Sequence, residues 1–148
     1  MAEARSGSAV QIIVPDASVL LKWVLPGGEE QHREPALHLR QQALDGKIAL
    51  KVPSLWLYEA GNTLCRRFPE HAGKLLEALI AFELESGEPS QKWLHQAITL
   101  TTRYSVTFYD AAYHALALVE KGTFVTADDT YVRKAKRAGS ILPLRDWS

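Results

Sequence analysis

Apolar positions follow two rhythms along this chain. Three short unbroken runs, QIIVP at Gln11–Pro15, IALKV at Ile48–Val52 and TFVT at Thr123–Thr126, have the length and character of buried strands. Pro15 lacks a backbone donor and Pro53 follows the second run, so pairing is expected to stop at both places. Between the runs the apolar spacing lengthens to three and four. This predicts helices from Ser18 to about Leu25, from Pro35 to a stop at Gly46, and from a Ser54 cap to about Phe68. Further helices are predicted from Pro69 through Phe82, from Pro89 through Leu100, from an Asp110 cap to Glu120, and from about Asp129 to Gly139. ILPL at Ile141–Leu144 reads as an edge strand, because Pro143 is excluded from a central one. Short apolar strands separated by helices predict an α/β sandwich around a parallel sheet. Ligands of such sheets bind beyond the carboxyl ends of the strands, which directs attention to the residues that follow each run.

Those residues are acidic. Asp16 directly follows the first run, among Ile13, Val14, Val19 and Leu20. A turn or helix N-cap is the ordinary role of such an aspartate, although Ser18 can cap equally well. Glu59 shares a helix face with Leu55 and Trp56 before it and with Asn62 and Thr63 after it. A carboxylate on that stripe is paired, metal-bound, or at its edge reaching for solvent, and Asn62 is spaced to orient it. Asp110 opens a helix whose small residues allow close packing on the sheet, with N-capping again the ordinary role. Asp128 and Asp129 follow the third run. One can cap the next helix and the other can face a cleft. Asp128, placed after its strand as Asp16 is, is favoured for a site, with Asp129 auxiliary. Jointly these acids predict carboxylates converging at one end of the sheet. Clustered like charges raise one another's pKa, and a divalent cation relieves the repulsion. Oxygen donors alone point to Mg²⁺ or Mn²⁺ in preference to Zn²⁺.

Composition narrows the partners. The 148 residues carry 17 Lys plus Arg and 17 Asp plus Glu, so any contact with nucleic acid is a local patch. Arg133, Lys134, Lys136 and Arg137 crowd one helix after Asp128, with Arg66 and Arg67 able to extend that surface. Such a run is usually a solvated face, but it also suits a phosphate backbone. Cys65 is the only cysteine, which excludes a disulfide framework; it is expected to pack in the core. His32, His38, His71, His95 and His114 form no paired ligand motif and are expected on the surface or on helix faces. Residues 1–9 lack an apolar signal core and are expected to be a disordered lead-in to one domain spanning 10–148. No run approaches the roughly 18 apolar residues of a membrane span. Leu75, Leu76, Leu79, Ile80 and Phe82 exceed what so small a core needs, which suggests a homodimer or a partner helix.

Four segments, in order, resemble the PIN domains. Val14-Pro15-Asp16-Ala17-Ser18 is similar to their opening strand and Asp-x-Ser, and Glu59-Ala60-Gly61-Asn62 to their Glu-x-x-Asn helix. Tyr109-Asp110-Ala111-Ala112-Tyr113 is similar to Tyr-Asp-Ala-x-Tyr, and Thr126-Ala127-Asp128 to the final Thr-x-Asp. In length and single-domain build the chain most resembles VapC-type proteins, the toxin half of prokaryotic toxin–antitoxin pairs. The resemblance implies a three-layer α/β/α sandwich with four to five strands and a cytoplasmic, Mg²⁺- or Mn²⁺-dependent endoribonuclease. It also implies a homodimer and a VapB-type antitoxin. Asp16, Glu59, Asp110 and Asp128 would be its acidic quartet and metal ligands, with Ser18, Asn62 and Thr126 in support. The Asp128–Asp129 doublet leaves the fourth acid open by one residue. One competing reading is a PIN-like module that binds RNA or protein without turnover. Another, a phospho-acceptor receiver domain, needs an acceptor Asp after a middle strand; here that strand ends in Val52-Pro53-Ser54.

Overall fold

The computed structural model describes residues 10–27 and 30–148, so the expected lead-in at 1–9 lies outside the described residues. Five strands form one parallel sheet in the order β3-β2-β1-β4-β5. They are β1 (Gln11–Pro15), β2 (Ile48–Val52), β3 (Glu85–Ser86), β4 (Thr123–Thr126) and β5 (Ile141–Pro143). The apolar runs take the central places because only there are both faces covered. Ile13, Val14, Phe124 and Val125 are buried, and Ile13 is in register with Leu50 on one side and Thr123 on the other. β5, with Pro143, takes an edge as expected. The other edge, β3, has two exposed residues and no apolar run, so no periodicity betrays it.

The helices are α1 (Ala17–Leu21), α2 (Arg33–Leu44), α3 (Leu55–Arg67), α4 (Ala72–Ile80), α5 (Gln91–Tyr104), α6 (Phe108–Glu120) and α7 (Asp129–Ala135). Connections from β1 to β2 and from β2 to β3 run one way across the sheet; those from β3 to β4 and from β4 to β5 run the other. Right-handed crossovers therefore put α1–α4 on one face and α5–α7 on the opposite one. The packing agrees: α3 lies on α1 and α4, while α5 lies on α6 and α7. The direction reverses between β1 and β4, which opens a crevice at their carboxyl ends. Gly122, just before β4, is required because a Cβ there would meet the Ile12 carbonyl oxygen at 2.4 Å.

Several expected boundaries shift, each for a local reason. α1 stops at Leu21 because the chain tightens into i to i+3 turns from Lys22, swinging the Trp23 Nε1–H onto the Ala36 carbonyl at 2.9 Å. α2 begins at Arg33, and Pro35 falls in its first turn, where backbone donors are unpaired anyway. α4 starts three residues after Pro69, and α5 is capped by Ser90 one residue after Pro89. Ser54 precedes α3 but makes no capping hydrogen bond. Cys65 is exposed rather than packed in the core, since α3 buries the stripe Trp56, Ala60 and Leu64 instead. His114 is fully buried, not on a surface. Its Nε2–H donates to the Gly139 carbonyl at 2.7 Å, leaving Nδ1 to accept from the Tyr131 hydroxyl at 2.8 Å. Burial lowers its pKa, as that neutral form requires. Among the described residues no helix is long and apolar enough to cross a membrane.

Candidate active site

Asp16 leaves the carboxyl end of β1 and is held from several sides. Its backbone N–H reaches across to the Val125 carbonyl of β4 at 3.3 Å. Oδ1 accepts from Ser18 Oγ at 2.5 Å and, as the N-cap of α1, from Val19 N at 3.3 Å. Oδ2 accepts from Thr126 Oγ1 at 2.5 Å. The cap and cleft readings of Asp16 are therefore both realised in one side chain. Ser18 does not cap; its hydroxyl orients Asp16 and accepts from Ala127 N at 3.2 Å. Thr126, fully buried, donates to Asp16 and accepts from Asp128 N at 3.0 Å, so one hydroxyl joins the ends of β1 and β4.

The helix expected to be capped by Asp110 is capped by Thr107, whose Oγ1 accepts from Asp110 N at 3.1 Å. Asp110 thus lies inside the first turn of α6, and its carboxylate is free of capping duty. The two acids of the doublet part company at Asp128. Its Oδ1 caps α7 by accepting from Tyr131 N at 3.1 Å, and it still borders the crevice, whereas Asp129 turns away to pair with Arg145. Glu59 arrives from α3 on the other face of the sheet. Its Oε1 accepts from the Tyr113 hydroxyl of α6 at 2.6 Å, and no hydrogen bond ties it to Asn62. Tyr113, 1% exposed, is the positioning residue that the spacing argument assigned to Asn62.

Asp16, Glu59, Asp110 and Asp128 line one pocket of about 460 Å³, together with Ser18 and Asn62. Burial pushes Asp16 up to about 6, against the lowering effect of its hydrogen bonds, and the Asp110 charge adds to the rise. Burial also raises Glu59 and Asp110, the first with help from the Asp110 charge and the second from Asp128. Asp110 is therefore the hub that each of the other three acids faces electrostatically. Among the described residues no three His, Cys, Asp or Glu side chains close into a finished metal cage. The oxygen-only donor set instead fits a small hard cation that keeps most of its waters and takes one or two carboxylates directly. Arg133, Lys134, Lys136 and Arg137 do not join this pocket; with Arg103 and Tyr104 they line a separate basic groove. The pocket has cations that sequence reasoning left out or placed elsewhere: Lys22 and Arg67, both bridged to Glu30.

A family model described as PIN domain matches residues 13–137. No curated protein matches the chain by sequence. Among solved structures it is similar to PAE2754 from Pyrobaculum aerophilum, at 22% identity and TM-score 0.64, covering 91% of this chain and 90% of that one. It is also similar to VapBC2 from Rickettsia felis bound to a DNA fragment from its promoter, at 14% identity and TM-score 0.65, covering 89% and 96%. A third similar structure is Mycobacterium tuberculosis VapC20, a sarcin–ricin loop cleaving toxin, at 17% identity and TM-score 0.61, covering 86% and 95%.

Proposed function

This chain belongs to the PIN domain family, and from that premise we propose that it is a metal-dependent endoribonuclease, the toxin of a VapBC-type pair. The observation that carries the proposal is the meeting of Asp16, Glu59, Asp110 and Asp128 in one pocket at the crevice between β1 and β4. Capping accounts for Asp16 and Asp128 singly, but not for gathering four like charges in one pocket, which is costly unless a cation compensates them. Asp16, Asp110 and Asp128 would hold Mg²⁺ or Mn²⁺, with Glu59 acting directly or through a water. When bound, such an ion lowers the pKa of a coordinated water and stabilises charge on a phosphodiester.

The chain's own contribution is orientation. Ser18 and Thr126 each fix one oxygen of Asp16. Tyr113 holds Glu59 toward the pocket from the opposite layer. The quartet positions cation and water; none of its carboxylates attacks the phosphate. The basic groove of Arg133, Lys134, Lys136 and Arg137 offers a path for flanking RNA. A VapB-type antitoxin and a second copy of the chain, in a prokaryotic cytoplasm, complete the proposal. Exposed Leu94, Ile98, Phe108 and Tyr109 on α5 and α6 support a protein interface.

The test is cleavage of a mixed cellular RNA pool by purified, partner-free protein. Cutting is expected with Mg²⁺ or Mn²⁺ and is expected to stop with EDTA. Cutting that persists in EDTA contradicts the metal, and no cutting by folded, metal-supplied protein shifts the reading to an RNA- or protein-binding module.

A further inference from the structure

An RNA phosphate entering this pocket meets a wall of carboxylates. Among the described residues two cations line it, Lys22 and Arg67. They come from different elements, the turn after α1 and the last residue of α3. Lys22 is 9% exposed, unusually buried for a lysine, in an otherwise apolar stretch. Neither cation pairs with the acidic quartet. Both are taken by Glu30 instead. Its Oε1 accepts from Lys22 Nζ at 3.2 Å, and its Oε2 lies 3.5 Å from Arg67 Nη2. One carboxylate thus bridges two cations through two separate oxygens, inside the pocket, six residues beyond Asp16 for Lys22 and eight beyond Glu59 for Arg67. Two non-bridging oxygens of a phosphodiester present the same charge and the same forked acceptor geometry.

We infer that Lys22 and Arg67 form the phosphate-binding pair of this pocket, and that Glu30 occupies them in the free protein until a substrate phosphate takes its place. The inference rests on the nuclease reading for the identity of the phosphate, an RNA backbone. In the free state Glu30 keeps a nearly buried lysine paired, which avoids an uncompensated buried charge. In the bound state the exchanged phosphate inherits both partners, and the freed Glu30 carboxylate, 15% exposed, turns to solvent. The exchange makes RNA binding a competition. Removing the competitor therefore acts in the opposite direction from removing a cation. A strap that merely ties the chain around Glu30 to α1 and α3 predicts no such opposition.

The experiment measures binding of a fluorescein-labelled single-stranded RNA of mixed sequence by anisotropy, in an Asp110→Asn background so that nothing is cut. Glu30→Gln is expected to bind RNA about three- to ten-fold more tightly, and Arg67→Gln about ten-fold more weakly with a shallower salt dependence. Lys22→Met is expected to follow Arg67→Gln. Should it fail to fold, the half-exposed Arg67 carries the test. The same series is run with inorganic phosphate, reading the rise in Tm that it produces. Opposite signs for Glu30→Gln and Arg67→Gln with either probe support the exchange. If they appear with phosphate while RNA does not bind, the pair stands and the RNA reading falls. Shifts of the same sign, or none, with both probes overturn the inference even where RNA is cleaved.

Discussion

Asp110→Asn is expected to lower RNA cleavage about a thousand-fold while leaving the protein as stable as before or more so. The size of the loss follows from position. Removing an outer partner of a metal ligand typically costs roughly 10- to 100-fold, and Asp110 is the charge that Asp16, Glu59 and Asp128 all share. The unchanged fold follows from the local hydrogen bonding. The α6 cap runs from Thr107 Oγ1 to the backbone N–H of residue 110, so the substitution leaves it intact. Asparagine also removes a like charge that the neighbouring carboxylates oppose. Cleavage rate and melting temperature, measured on the same preparation, check both halves. An inactive variant that is also unfolded would say nothing for the site, and a stable variant that still cuts would remove Asp110 from it.

Asp16→Asn is expected to raise the stability of the metal-free protein at neutral pH by about 1–3 kcal/mol while abolishing cleavage. Asp16 titrates near 6 in the folded chain, chiefly through burial, against an ordinary value of 3.8. A raised carboxyl pKa means that the folded state binds the proton more tightly than the unfolded one. Its stabilising effect is fully present below about pH 4 and is lost as the pH rises through 6. The difference of about two pH units corresponds to roughly 3 kcal/mol, an upper figure because the carboxylate keeps an opening onto the pocket. Asparagine is neutral at every pH, so its advantage is expected above pH 6 and is expected to vanish by about pH 4. At neutral pH the gain is a rise of several degrees in Tm for a chain of this length. Added Mg²⁺ or Mn²⁺ should narrow the gap by stabilising only the native protein. Urea unfolding across that pH range, with and without metal, checks it. A destabilised asparagine variant at neutral pH would mean that the hydrogen bonds to both carboxylate oxygens outweigh the cost of burying the charge.

The strands that build the crevice were legible because a buried parallel strand must be apolar on both faces, and Ile13, Val14, Phe124 and Val125 are. That rule also located Asp16 and Asp128, since the crevice lies where those runs end. Choosing Asp128 over Asp129 rested on its order after the strand; Asp128 borders the pocket, and Asp129 pairs with Arg145. β3 was not legible, because a two-residue edge strand has no side-chain period. Nor was the burial of His114, which depends on Tyr131 and Gly139 arriving from a later helix and turn. Thr107 fits a cap three residues before Asp110, but aspartate is itself a strong N-cap and masks that signal. Tyr113 and the Lys22–Glu30–Arg67 triad share a different obstacle. Their partners come from separate elements, and helical spacing reports only neighbours on one helix.

The most direct test of the central claim, that these carboxylates hold a divalent cation, is calorimetric titration of Mn²⁺ into the apo-protein and into Asp110→Asn at neutral pH. The expected result is saturable binding by the natural sequence and its loss in the variant. No binding by the natural sequence, or equal binding by both proteins, would contradict it.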